Sequence, residues 1–189
     1  IRNTGTIAGN IVNAQPAADG AIALTSLDAQ VHIMSAQGER VVPITELYGG
    51  VGKSKVDSTR EIVTKITVKT IDKEDHSASA FERLALRQAL SLPMLNVAVC
   101  LQVINGKFSW ARIAVGPVAQ TPFRPFAVEK ALVGMATDEN TLYSIAASVS
   151  ELTQPRDSKL RGSAEYRKEM VKVLVARTLI KAVSRIVTE

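Results

Sequence analysis

The chain has 189 residues, a net charge of +5, 46% hydrophobic and 22% charged residues, which suits one ordinary folded domain or two small ones. Cys100 is the single cysteine, so an internal disulfide is excluded and the four thiolates of an iron–sulfur cluster are not available. No apolar run approaches the ~18 residues of a membrane span, His32 and His76 stand in no metal-ligand spacing, and with 4% aromatics and no long basic block the chain lacks the pattern of a nucleic-acid surface.

The chain opens Ile-Arg-Asn, without an initiator Met or a basic-then-apolar leader, so Ile1 reads as an internal residue of something longer and a cytoplasmic location is expected. Residues 1–20, rich in Gly, Asn, Thr and Ala with Pro16 in the middle, read as a loop leading into a short helix near 17–27. Residues 29–34 and 40–43 read as strands joined by a turn ending at Gly38, with His32 a strand residue in an apolar run. A helical turn at 44–48, a loop at 49–54 and a strand at 61–68 follow. The polar stretch 70–79 is the best boundary candidate. Beyond it, 80–92 is a short amphipathic segment in which Arg83 reads as a solvated helix residue. Residues 96–104 and 107–115 are β-prone, and Asn105-Gly106 between them is a strong hairpin signal. Helices are expected at 128–132, at 139–150 behind a Thr137-Asp138 cap, and at 164–187, where Met170, Leu174 and Val183 form an apolar stripe.

Gly52-Lys53-Ser54 resembles the end of a nucleotide-binding P-loop, but that motif requires a further glycine where this chain has Leu47, and a strand pattern follows instead of a helix. A Gly-rich connector is the better reading. Thr6-Ile7-Ala8-Gly9-Asn10 is more informative. Small residues let backbone amides approach a phosphate, and Thr and Asn add directed hydrogen bonds, although tight turns use Gly-Asn for backbone reasons alone. No nucleophile–base pair or metal motif is present, so no catalytic and no metal-ligating residue is expected.

The segment from Ile1 to Asn10 resembles the I-R-N-x-G-T-I-G-G-N motif of the molybdenum hydroxylase flavoproteins, the xanthine dehydrogenase and carbon monoxide dehydrogenase family. Ala14-Gln15-Pro16-Ala17-Ala18-Asp19 is similar to that family's A-x-P-x-x-D, and Gly38-Glu39-Arg40, Pro43 and Gly52-Lys53 match its next segments. Arg112-Ile113-Ala114-Val115-Gly116, Thr121-Pro122-Phe123-Arg124 and Arg161-Gly162-Ser163-Ala164-Glu165-Tyr166-Arg167 continue the likeness in order. The resemblance covers essentially the whole chain and corresponds to the C-terminal two-thirds of the family's FAD-binding (medium) subunit.

The resemblance implies an α+β architecture. Residues 1–78 would be the second subdomain of a two-subdomain FAD-binding α/β domain whose N-terminal subdomain is absent, and 79–189 a C-terminal domain of antiparallel sheet with helices. It implies an electron-transfer subunit that passes electrons from iron–sulfur clusters via FAD to NAD or another acceptor. FAD would have an incomplete site in this chain, and molybdopterin and 2Fe-2S clusters would sit on partner chains. The implied partners are a molybdopterin-binding large subunit, a 2Fe-2S small subunit and the missing N-terminal FAD segment, with no nucleic acid and no membrane. Carried over by residue, Thr6, Ala8, Gly9 and Asn10 would lie near the pyrophosphate and ribityl chain, Asn13 near the cofactor, and Asp19 at the family's flavin-site Asp. Val63 would pack on the flavin or adenine side, and Arg83 would approach the flavin from the C-terminal domain. Ala8 replaces the family's usual Gly; a positive φ there would cost ~1 kcal/mol or more. The alternative function is a non-flavin assembly or docking module of such a complex, using the apolar stripe of 164–187.

Overall fold

The computed structural model describes residues 5–72, 74–87 and 91–187, so residues 1–4 of the opening motif and 88–90 of the segment read as amphipathic lie outside the described residues. In chain order the elements are α1 (Ile7–Val12), α2 (Asp19–Ser26), β1 (Gln30–Ser35), β2 (Gly38–Pro43), a 3-10 turn (Ile44–Glu46), β3 (Tyr48–Gly50), β4 (Lys53–Ser54), β5 (Glu61–Thr67), β6 (Ser77–Leu84), β7 (Leu95–Ile104), β8 (Lys107–Gly116), α3 (Phe126–Ala131), α4 (Glu139–Glu151) and α5 (Ala164–Val187). Among the described residues no helix is long and apolar enough to cross a membrane.

The first sheet has the order β2-β1-β5, antiparallel throughout. Central β1 alternates, and its inward Val31 and Ile33 are fully buried with Ile11 of α1, Ala21 of α2, Ile44 and Leu47. Period-2 side-chain alternation directs those two residues to one face, while His32 points away and bonds Glu39 Oε1 through Nδ1 (3.0 Å) and Thr67 Oγ1 through Nε2 (3.3 Å). Residues 49–54 are not a plain loop: β3 and β4 pair into a two-stranded ribbon, closed by Gly52 at φ +67, a conformation a side chain disfavours.

The second sheet is the antiparallel meander β6-β7-β8. Its turn, Asn105 and Gly106 at φ +51 and +70, has both central residues in the left-handed region, matching the twist of the flanking strands. Strand β7 is covered on both faces, which explains its nearly unbroken apolar run. Val97, Val99, Leu101 and Val103 pack with β8, α4 and α5. On the opposite face Ala98 and its register partner Ala114 meet Ile22 of α2; two alanines let the helix lie close to the sheet. Gly116 continues that approach: a Cβ there would stand 2.4 Å from Pro16 O and 2.6 Å from Ile22 Cδ1.

Two further expectations require correction. Residues 77–84 form strand β6, paired with β7 along its length, so Arg83 is a strand residue; pairing to a fully buried neighbour overrides the local helical pattern. Residues 7–12 form a helix where a loop was expected, and Ala8 sits in it, outside the left-handed region, so no strain arises there. At the C-terminus, Leu174 and Val183 of α5 are buried and Met170 packs against the same core, so the stripe covers the protein's own sheet and is not an open docking face. Asp138 caps α4 by accepting from Thr141 N at 3.1 Å.

Candidate functional site

Helix α1 begins where Thr6, in an extended conformation, turns its Oγ1 to accept from Gly9 N at 2.9 Å. That satisfies one of the first-turn amides, which have no intrahelical acceptor; among the described residues those of Ile7 and Ala8 have none either. Gly9 leaves room for this cap, since a Cβ would lie 3.0 Å from Thr6 Oγ1. Thr6, Ile7, Gly9, Asn10 and Asn13 are exposed and Ala8 is half-buried, so this turn presents small and polar groups on the surface.

Asn10 holds α1 to α2. Its Oδ1 accepts from Ala21 N at 3.2 Å, and Gly20 is required beneath it, because a Cβ there would come within 2.6 Å of that oxygen. The Asn10 carbonyl is thereby engaged within the fold, while its NH2 group stays available. Asn13 closes α1 through its backbone N–H to Gly9 O (3.1 Å).

Asp19, the first residue of α2, reaches across to the second sheet. Its Oδ1 accepts from Asn96 Nδ2 at 2.8 Å, and its Oδ2 lies 3.1 Å from Arg83 Nε. The second contact lacks hydrogen-bond direction, so it is an electrostatic contact between partly exposed groups, worth about 0–1 kcal/mol. Arg83 also donates from Nη2 to Ser91 O. Arg83 and Asn96 are register partners on β6 and β7. Two residues carried over from the family, Asp19 and Arg83, are thus brought together, and Asn96 joins them. Asn96 was not singled out by the sequence reading. The available signal was a lone asparagine heading an apolar strand, since a fully buried amide must find partners.

Val63 lies elsewhere. It sits on β5 opposite Ile33, half-buried and packed against the first core, and belongs to neither the α1 turn nor the Asp19–Arg83 contact. The Thr121–Arg124 motif serves architecture. Arg124 donates from Nη2 and Nε to Glu129 (2.7 and 3.0 Å) and from Nη1 to Asp28 Oδ1 (2.8 Å), while Glu129 Oε1 also accepts from Ile113 N at 2.8 Å. This buried pair ties α3, β8 and the end of α2 together. Among the described residues no cluster of metal-binding side chains occurs.

Comparison with known proteins agrees with this arrangement. Residues 1–69 match the FAD binding domain in molybdopterin dehydrogenase, and residues 79–182 match the CO dehydrogenase flavoprotein C-terminal domain. The chain belongs to the family of FAD-binding medium subunits of molybdenum hydroxylases, the xanthine and carbon monoxide dehydrogenase family. It is 33% identical over 177 residues to the glyceraldehyde dehydrogenase medium chain of Sulfolobus acidocaldarius, covering 94% of this chain and 61% of that one. It is also 33% identical over 184 residues to the xanthine dehydrogenase FAD-binding subunit of Escherichia coli, covering 97% and 62%. Its fold superimposes on reconstituted CO dehydrogenase from Oligotropha carboxidovorans with a TM-score of 0.89 at 29% identity, over 97% of this chain and 63% of that one. The chain therefore spans about three-fifths of the length of these relatives.

Proposed function

We propose that the chain is the FAD-binding electron-transfer component of a cytoplasmic molybdenum hydroxylase, working with a molybdopterin-binding large subunit and a 2Fe-2S small subunit. Residues 1–78 are the FAD-binding part and 79–189 the C-terminal domain. Further flavin contacts come from polypeptide corresponding to the part of the relatives that this chain does not span. Bound FAD would supply the redox chemistry, accepting electrons from the iron–sulfur side and delivering them to NAD or another acceptor.

The observation that carries the reading is the exposed α1 turn, within the segment that matches an FAD-binding domain. Its first-turn amides, the small Ala8 and Gly9, and the outward amide groups of Asn10 and Asn13 suit a ligand with a pyrophosphate and a hydroxylated chain. Thr6 shapes the turn through its cap and keeps its hydroxyl proton for a ligand oxygen. Asp19 and Arg83 set the edge of that surface and hold the two sheets in register around it. Val63 contributes through the core beneath the first sheet.

The test is flavin content and FAD affinity of Asn13→Ala and Gly9→Val in the full-length protein. Losing one such contact weakens FAD by about 1–3 kcal/mol, roughly ten- to hundred-fold. Gly9→Val also displaces the Thr6 cap, so folding is followed separately by circular dichroism. Wild-type FAD affinity in both variants would reduce the turn to a purely structural element.

A further inference from the structure

A cleft of about 620 Å³ opens between Gln15–Ala17 on one side and, on the other, Val118–Gln120 with the approach to α5, residues 154–161. None of Thr6, Ala8, Gly9, Asn10, Asn13, Asp19, Val63 or Arg83 lines it. Three guanidinium groups do: Arg156, Arg161 and Arg167. Among the described residues no carboxylate pairs with any of them. The one acid in the wall, Asp157, accepts from Ala164 N at 2.7 Å and is thereby engaged in starting α5.

Arg167 is only 4% exposed. Its Nη1 donates to Arg156 O at 2.8 Å and its Nη2 to Pro117 O, but its Nε has no acceptor. Both acceptors are neutral carbonyls, so the charge itself is uncompensated. Burial first, then the neighbouring charges of Arg161 and Arg156, draw this guanidinium below its ordinary pKa. A buried cation facing two like charges is costly unless an anion completes the group. Planar guanidinium forks match phosphate oxygens, and the Gln15, Gln120 and Gln154 amides and Ser158 hydroxyl around the cleft can add neutral donors.

We propose that this cleft binds the phosphate or diphosphate group of a small molecule, at a site separate from the flavin residues assigned above. Three arginines against one carboxylate favour a multiply charged anion over a single carboxylate. The volume falls within the range of small-ligand sites, roughly 300–1,000 Å³. Arg156 and Arg161 close on the anion from the rim, while Arg167, fixed by its two carbonyl contacts, places its charge in the floor.

The experiment uses the full-length, flavin-loaded protein and calorimetric titration with inorganic phosphate, pyrophosphate and ADP at constant ionic strength. Saturable binding of at least one is expected. Arg156→Gln and Arg161→Gln should each weaken it ten-fold or more, with FAD content unchanged. Arg167 is left intact, because its substitution also removes the contacts to Pro117 and Arg156. Tighter binding of ADP than of pyrophosphate assigns a nucleotide, and the reverse order assigns the free anion. No saturable binding of the three anions overturns the proposal, as does wild-type affinity in both variants or loss of FAD with the arginine side chains. That last outcome would merge the cleft with the flavin site without touching the flavin reading itself.

Discussion

Asp19 and Arg83 meet at 3.1 Å although one opens a helix of the first unit and the other lies near the end of β6 in the second sheet. The helix α2 rests on β7 and β8 through Ile22, Ala98 and Ala114, and that packing brings the Asp19 carboxylate over the register pair Arg83–Asn96. Position is thus set by apolar contact, and the polar groups select the register of the two units.

Asp19→Asn should therefore separate stability from ligand binding. The Arg83 contact is lost, but an asparagine oxygen can still accept from Asn96. Stability should fall by no more than about 1 kcal/mol, or about 2–4 °C in Tm for a chain of this size, while FAD affinity of the full-length protein falls by more than that. Thermal melts and flavin titration of the same preparation check both; a Tm drop with unchanged FAD affinity would make Asp19 a structural residue only.

Glu129→Ala attacks a different joint. The substitution leaves Arg124, whose side chain is only 7% exposed, with Asp28 as its single acid, and strips Ile113 N of its acceptor. Breaking one side of a buried pair costs about 3–5 kcal/mol. Urea denaturation should show a loss in that range, and a loss under 1 kcal/mol would mean that Asp28 alone holds Arg124.

Much of this fold is legible from local pattern. The β7–β8 hairpin follows from apolar β-branched runs around Asn105-Gly106, and α4 and α5 follow from apolar periodicity, with Asp138 in front of α4. The polar stretch 70–79 and the amphipathic pattern of 80–92 mark no strand over so short a span, and only the partner strand β7 makes 77–84 one. Helix α1 has only six residues, Ile7–Val12, which carry little periodicity; the Thr6 cap in front of it is its signal. Of the residues proposed for flavin, the Thr6–Asn10 turn is marked by its small and polar residues and by the family motif, whereas the contact of Asn96 with Asp19 is a tertiary one that no local spacing encodes. Arg161 and Arg167 belong to the R-x-S-A-E-Y-R match, but nothing in that spacing marks a cleft, which Arg156 and the facing Gln15 join only through the fold.

Gly116→Ala tests the closeness of the two units. The added Cβ would meet the Pro16 carbonyl oxygen at 2.4 Å and Ile22 Cδ1 at 2.6 Å. The first of these is backbone and cannot rotate aside. Overpacking of this kind costs about 1–3 kcal/mol and occasionally more, so a loss at the upper end of that range is expected in chemical denaturation. Stability equal to wild type would mean that α2 shifts off the sheet without penalty, and the Asp19–Arg83 contact would then have to open as well.

Cys100 supplies a prediction with a defined pH window. It lies on β7, 1% exposed, and burial pushes its thiol up from 9.0 to about 11, with Arg112 opposing only in part. Because the folded pKa is raised, the buried neutral thiol contributes stability that is fully present below about pH 9. Between pH 9 and 11 the unfolded chain ionises and the folded one does not, so this contribution is lost progressively as pH rises. A shift of this size corresponds to about 2–3 kcal/mol. Wild type should lose stability across that window relative to Cys100→Ala, in which this contribution is absent. Native protein at pH 8 should also react with iodoacetamide at least about a hundred-fold more slowly than the urea-unfolded chain, since only the thiolate attacks. Alkylation at equal rates in the two states would place the thiol at the surface and contradict the two-sided burial of β7.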